Sequence, residues 1–225
     1  IDIGVDNLAA LAWNTGTRPV LFKGTPLKSV NQYYNKQMAK RRSICARMNG
    51  RHSSKRIARL TVKRNRKVED YLHKVSRKVI DLCAGQDVSV LVIGKNKGWK
   101  QEANLGRKLN QSFVQLPFAR FIQMLQYKAE SIGMKVVLTE ESYTSGTSFL
   151  DDEAPVKACY DKSRRVHRGL FLANDGQRIN ADVNGAYQIM RKVFPNVNAD
   201  GIEGVALRPA VVTLSMSARR GSGCA

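Results

Sequence analysis

The chain opens on a strict alternation, with Ile1, Ile3 and Val5 set against Asp2, Gly4 and Asp6. A period of two places the three apolar side chains on one face of a strand and Asp2, Gly4 and Asp6 on the other. Residues 9–14 and 19–23 are further short β-type runs, bounded by Asp6-Asn7 and by the turn signal that starts at Asn14. Together with residues 1–5 they predict an antiparallel meander. The spacing then becomes helical. Tyr34, Met38 and Ile44 recur at helical intervals, as do Ile57, Leu60, Val68, Tyr71, Leu72, Val75 and Val79 after a break at Asn49-Gly50. Two long helices follow from this pattern. Residues 88–93 form a nearly continuous apolar run ending at Gly94, the signature of a central strand buried on both faces. Residues 117–132 read as a helix with Pro117 in its first turn, Gly133 as its stop, and Phe118, Phe121, Ile122, Leu125 and Ala129 as its buried stripe. Residues 135–139 make another strand, 142–178 are polar and irregular, and Asn180 caps a last helix that runs to about Phe194. Beyond Pro195 the patterning is weak. The order β-β-β-α-α-β-α-β-α indicates an α/β domain with a mixed sheet.

Composition sharpens this picture. With 225 residues and 43% apolar side chains the chain can build a real core, which excludes wholesale disorder. No apolar run is long enough for a transmembrane helix. The formal net charge is +20 and the pI about 10.2. This surplus points to a polyanionic partner, nucleic acid first and an acidic membrane second. It is concentrated: residues 28–80 hold 17 Lys and Arg against Glu69 and Asp70, a surplus of 15. An inert solvated helix face would carry mixed i,i+4 pairs instead. Lys40, Arg41, Arg42, Arg56, Arg59, Lys63, Arg64 and Arg66 are therefore the candidates for sequence-independent, salt-sensitive phosphate contacts. Tyr33 and Tyr34, among these charges, suit base stacking or core packing equally. His73 falls in an apolar stripe and reads as a packed residue, and Trp99 fits either role. The four cysteines, Cys45, Cys83, Cys159 and Cys224, lie far apart without a C-x-x-C pair. That argues against a disulfide framework or a cysteine zinc site and suits a reducing cytoplasm. Starting at Ile1 inside a strand-like run, the chain reads as a fragment of a longer protein.

On so basic a background the placed carboxylates are informative. Asp2 lies in an apolar strand, where a charge is costly unless it is paired or holds a cation, and Gly4 beside it leaves room for a ligand. Its plainer reading is a strand-edge acid held by a lysine or a backbone N–H. Asp182 lies in the first turn of the last helix, a position that the helix dipole alone would favour. Glu140 and Glu141 follow the strand at 135–139, and carboxyl ends of strands are where ligands gather in open α/β sheets. Successive residues face opposite sides, so at most one of the two reaches a given site, and a solvated loop pair is the plainer alternative.

Taken together, Ile-Asp2-Ile-Gly-Val-Asp-Asn-Leu-Ala, Glu141-Ser-Tyr-Thr-Ser and Asn-Ala-Asp182-Val-Asn-Gly-Ala resemble the three parts of a split RuvC nuclease domain. The resemblance is to the TnpB proteins of bacterial insertion sequences, relatives of type V CRISPR effector nucleases. It spans roughly residues 1–194, with 28–84 as a basic helical insertion, 142–178 as a degenerate zinc-ribbon-like region and 195–225 as a tail. It implies an RNase H-like α/β fold, RNA-guided cleavage of DNA, a guide RNA and DNA as partners, no membrane, and a bacterial, nucleoid-associated cytoplasmic location. Two departures stand out. The family's second acid usually ends the central strand, where this chain has Gly94; some relatives use a glutamate just before Tyr-Thr-Ser, which assigns the role to Glu141 with Glu140 as the alternative. The four-cysteine zinc ribbon is reduced to Cys159, with Ser148 and Asp151 where the first pair would stand. Cys159 and His167 do not make a tetrahedral site, so no structural zinc is expected, and Phe149, Leu170 and Phe171 are expected to pack there instead.

The resemblance implies that Asp2, Glu141 and Asp182 are catalytic and hold Mg²⁺ or Mn²⁺, as two ions about 3.5–4 Å apart, with Asp2 bridging them. Two competing readings are a catalytically inactive RuvC-like nucleic-acid-binding module, suggested by Gly94, and a junction resolvase, which does not usually carry so large a basic insertion.

Overall fold

The structure, a computed structural model, describes residues 1–49, 53–95, 116–167 and 169–216. In chain order its elements are β1 (Asn7–Leu11), β2 (Val20–Lys23), α1 (Thr25–Asn49), α2 (Lys55–Ala84), β3 (Val90–Gly94), α3 (Phe118–Glu130), β4 (Lys135–Thr139), β5 (Leu170–Leu172), β6 (Arg178–Asn180), α4 (Ala181–Val193), α5 (Glu203–Ala206) and β7 (Ala210–Val212). Gly50, Trp99 and Cys224, singled out from the sequence, lie outside the described residues.

β1 and β2 pair antiparallel, β7 adds to β2 in parallel, and β3 and β4 form a parallel pair. The alternating residues at the amino end join these two groups. Asp2 exchanges both backbone hydrogen bonds with Ala10, at 3.0 and 2.8 Å, as an antiparallel bridge. On the other side Ile1 donates to Val92 O at 2.7 Å and accepts from Gly94 N at 3.0 Å, which is parallel pairing. The predicted first strand is thus shorter than residues 1–5: its pairing is confined to Ile1 and Asp2, and the chain bends before β1 begins.

The period-two pattern divides the interior. Ile1, Ile3, Ala9, Leu11 and Phe22 point into one core with α2 and α3, while Ala10 and Leu21 point into a second core with α4. On α2, Val68, Tyr71, Leu72, Val75 and Val79 are buried as the spacing predicts. His73 departs from the prediction: it is exposed beside the stripe, 3.6 Å from Glu69 one turn earlier. Ile44 is also exposed, because no element covers the distal end of α1 among the described residues.

The polar stretch before α4 has its own order. Phe149 stacks on Tyr187 of α4 with ring centroids 4.3 Å apart, and Phe171 of the β5–β6 hairpin is fully buried beside them. Leu170 is half-buried. Residues 196–212, weakly patterned in sequence, pack on the domain: Ala199, Ile202 and Ala206 bury in the second core and β7 completes the sheet edge. Fully buried Asn184 fastens this stretch to α4, accepting from Phe149 N at 2.9 Å and donating to Thr147 O at 2.8 Å. Asn184→Ala would strand two buried backbone groups at about 1–3 kcal/mol each. We expect a lower urea midpoint and faster hydrogen exchange at the Phe149 amide, with the amides of α2 unchanged.

Candidate active site

The side-chain face of the sheet that carries Asp2 looks toward α4. The close approach is made possible by Gly185: a Cβ there would lie 2.8 Å from Asp2 Oδ2. Asp182 sits one turn earlier on α4, where Asn180 caps the helix and accepts from the backbone N–H groups of Asp182 (3.0 Å) and Val183 (3.3 Å). Asn7, at the start of β1, donates from Nδ2 to Asp182 Oδ2 at 2.6 Å. Arg165 brings a guanidinium nitrogen to 3.7 Å from Asp182 Oδ1.

Glu141 arrives from the far edge of the sheet. β3 and β4 run in register, with Gly94 opposite Thr139, and two residues further on the chain turns back over the end of β3. The Glu141 side chain then fills the space above Gly94, where an added Cβ would stand 2.8 Å from Glu141 Cγ and 2.6 Å from Ile189 Cδ1. Glu140 points the other way, to solvent, and pairs with Lys192 and Ser142. Those hydrogen bonds lower its pKa to about 2, so it stays a carboxylate tied to the outside of α4. Of the two glutamates, Glu141 is the one turned inward.

Electrostatics ties the three acids together. Burial raises the Asp2 pKa well above the usual carboxylate range, and the charges of Asp182 and then Glu141 raise it further, while the Ile1 amino group and then Arg165 oppose them. Burial likewise pushes Glu141 up to about 7. Like charges held this close in a half-buried site favour a bound cation or a proton. Three carboxylates offer hard oxygen donors of the kind Mg²⁺ takes. They stand as neighbours and not as a closed cage, because among the described residues no three His, Cys, Asp or Glu side chains gather into a group that could hold a metal.

The basic candidates lie apart from this cluster, on the α1–α2 pair. Lys40, Arg42, Arg56, Arg59, Lys63 and Arg66 are exposed and form no ion pair among the described residues. Arg41 and Arg64 are half-buried, and Arg64 donates to Asn31 (2.8 Å) and Asn65 (2.9 Å). Sequence reasoning missed Asn7, Arg165 and Gly185. Only Gly185 left a signal, since a glycine inside a helix weakens it and marks a close approach.

Residues 1–100 match the family model OrfB_IS605, described as a probable transposase, and residues 118–189 match the Cas12f1-like TNB domain. Asp2 falls in the first match, Glu141 and Asp182 in the second. The chain is 24% identical over 210 residues to the CRISPR-associated endodeoxyribonuclease Cas12f2 of Micrarchaeota archaeon (strain CG1_02_47_40), covering 87% of this chain and 37% of that protein. It is 23% identical over 201 residues to the TnpB-like protein ORF457 of Acidianus two-tailed virus, covering 85% and 41%. Its fold matches a chain of a cryo-EM Cas12f1-sgRNA-target DNA complex with a TM-score of 0.60 at 18% identity, over 84% of this chain and 48% of that one. A chain of a CRISPR-Cas12f ternary complex gives a TM-score of 0.61 at 19% identity, over 84% and 37%. The chain thus spans about two fifths of the length of these curated relatives.

The glycine contacts are directly testable. Gly94→Ala forces Glu141 or Ile189 to move, and Gly185→Ala does the same to Asp2, each at an overpacking cost of about 1–3 kcal/mol. Thermal melts should fall for both, whereas Gly204→Ala, whose added Cβ meets nothing on a backbone without positive φ, should not lower them.

Proposed function

We propose that the chain is a member of the TnpB family and forms the RuvC-like nuclease part of an RNA-guided, transposon-associated DNA endonuclease, a reading supported by its matches to OrfB_IS605 over residues 1–100 and to the Cas12f1-like TNB domain over residues 118–189. Asp2, Glu141 and Asp182 are its catalytic carboxylates. The observation that carries this reading is that the Asp2 carboxyl group, in room left by Gly185, feels the charges of both Asp182 and Glu141, with Glu141 in room left by Gly94. A mixed sheet whose amino-terminal strand lies between an antiparallel pair and a parallel pair agrees with an RNase H-like domain.

Asp2, Glu141 and Asp182, which do not form a closed cage in this structure, would have to draw together to hold Mg²⁺ or Mn²⁺, in a two-ion arrangement. Such ions supply an activated water and offset the charge that develops on the phosphate. The remaining work falls to the chain. Asn7 fixes one oxygen of Asp182 and leaves the other toward Arg165. The Arg165 guanidinium, exposed beside the carboxylates, suits a scissile phosphate oxygen. Lys192 and Ser142 hold Glu140 outward, which turns its neighbour Glu141 inward. The exposed cations of α1 and α2 grip phosphates without regard to sequence. Among the described residues no helix is long and apolar enough to cross a membrane, and nucleic acid is the polyanion that this reading assigns to the charge. Guide RNA and target DNA are the partners this reading assigns.

The alternative, an inactive nucleic-acid-binding module, rests on the glycine at 94. The Glu141 carboxyl group over that position speaks for activity. The deciding experiment uses the full-length protein with guide and labelled target DNA, in Mg²⁺, in Mn²⁺ and in chelator. Asp2→Asn, Asp182→Asn and Glu141→Gln should each cut at least about 100-fold more slowly, the scale of losing one electrostatic stabiliser of a transition state. Glu140→Gln should keep most activity. Gly94→Glu combined with Glu141→Ala should regain part of what Glu141→Ala loses, by returning a carboxyl group to the same space. Metal-independent cutting, or full activity in Glu141→Gln, would rule the assignment out.

A further inference from the structure

Tyr33 and Tyr34 were left by the sequence between stacking and packing, and the structure separates them. Tyr34 is half-buried, shares a hydrogen bond with Thr61 at 3.1 Å and lies under the Arg64 guanidinium, 5.7 Å from its ring centre. Arg64 is itself held by buried Asn31. Tyr33 is 62% exposed, a large aromatic left in water among cations. Both tyrosines line a hollow of about 210 Å³ between α1 and α2, whose apolar lining includes Val30 and Leu60 and whose cationic lining includes Lys63 and Lys67.

We propose that this hollow is a pocket for one unstacked base of single-stranded DNA, with Tyr33 as the stacking platform and Lys63 and Lys67 on the flanking phosphates. The inference rests on the reading of α1 and α2 as a nucleic-acid grip and gives that grip a defined site. Size supports a base alone: ligand pockets for whole drug-sized molecules run to about 300–1,000 Å³, so sugar and phosphate stay outside. Lys63 and Lys67 are one helical turn apart, about 6 Å along the axis, and both are exposed on the rim. The wall is preorganised, because the Tyr34, Thr61, Arg64 and Asn31 bonds are already made. With the sugar outside, the pocket reads the base and not the 2′-position, and DNA is assigned because it is the strand on which the proposed nuclease acts.

The test is binding of the full-length protein to fluorescent single-stranded DNA in chelator, across a salt series, with 2-aminopurine in the strand as a stacking probe. Tyr33→Ala should weaken binding about 5- to 150-fold and remove the 2-aminopurine quench, without changing the salt slope or the melting temperature. Tyr33→Trp should bind as tightly as the parent. Lys63→Ala and Lys67→Ala should each flatten the salt slope by about 0.7. Unchanged affinity and quench in Tyr33→Ala, with the lysine effects present, would overturn the pocket and leave the grip standing. No effect from any of the three would overturn both. A Tyr33→Ala loss confined to single-stranded RNA of the same sequence would overturn the DNA assignment.

Discussion

Asp2 is fixed by backbone pairing on both sides of a very short strand. Ala10 holds it from β1, and Ile1 is bonded to Val92 and Gly94 of β3. Since the side-chain period is two, seating Ile1 and Ile3 in the first core leaves Asp2 no direction except toward α4. A slip by one residue would bury the carboxyl among α2 and α3 and expose two isoleucines. The packing of the sheet and the placement of the central acid are therefore one constraint, met by the same three residues.

The other acids come to Asp2 through space that glycine vacates. Gly185 lets α4 approach the strand closely enough to bring Asp182 beside Asp2, and Gly94 lets a side chain from β4 cover the end of β3. Glu141 fills that second space, so the end of β3 is covered by a carboxyl group from a different point in the chain. The cost shows in the upward shifts: burial and then the charges of Asp182 and Glu141 raise Asp2, and burial raises Glu141. Burying such a cluster is unfavourable unless something positive completes it. The fold supplies one partial answer in Arg165, whose guanidinium stands 3.7 Å from Asp182.

Much of this was legible in the sequence. Alternation gave the direction of Asp2, the Asn180 cap fixed the start of α4 and the place of Asp182, and strand parity required that only one of Glu140 and Glu141 face inward. Which of the two does so depends on Lys192, which lies 52 residues from Glu140 and pairs with it only once α4 has docked. Asn7 was hidden for a similar reason: its turn-like neighbourhood says nothing about a helix 175 residues away. The segment past Pro195 escaped because α5 and β7 are too short for periodicity to register, and their order comes from tertiary burial. His73 was misplaced because a stripe read from spacing has soft edges, and one residue of rotation separates Leu72 in the core from His73 in water.

The stretch between Glu141 and α4 shows how a region with a single cysteine is held and why that matters at the site. Arg164 donates to Asp151, to Glu153 at 2.6 Å and to Leu172 O at 3.1 Å, and lies over the Phe171 ring at 5.1 Å. One guanidinium thus links the loop at 151–153 to the β5–β6 hairpin. Asp151 also accepts from Asn174 N, so its carboxylate is satisfied from two directions. A partly buried ion network of this kind is weak evidence for stability, but its fixed geometry restricts where the chain can go next. With Arg164 committed inward, the adjacent Arg165 side chain lies on the exposed side, at 3.7 Å from Asp182. The arginine that anchors the loop therefore sets the position of the arginine that faces the carboxylates.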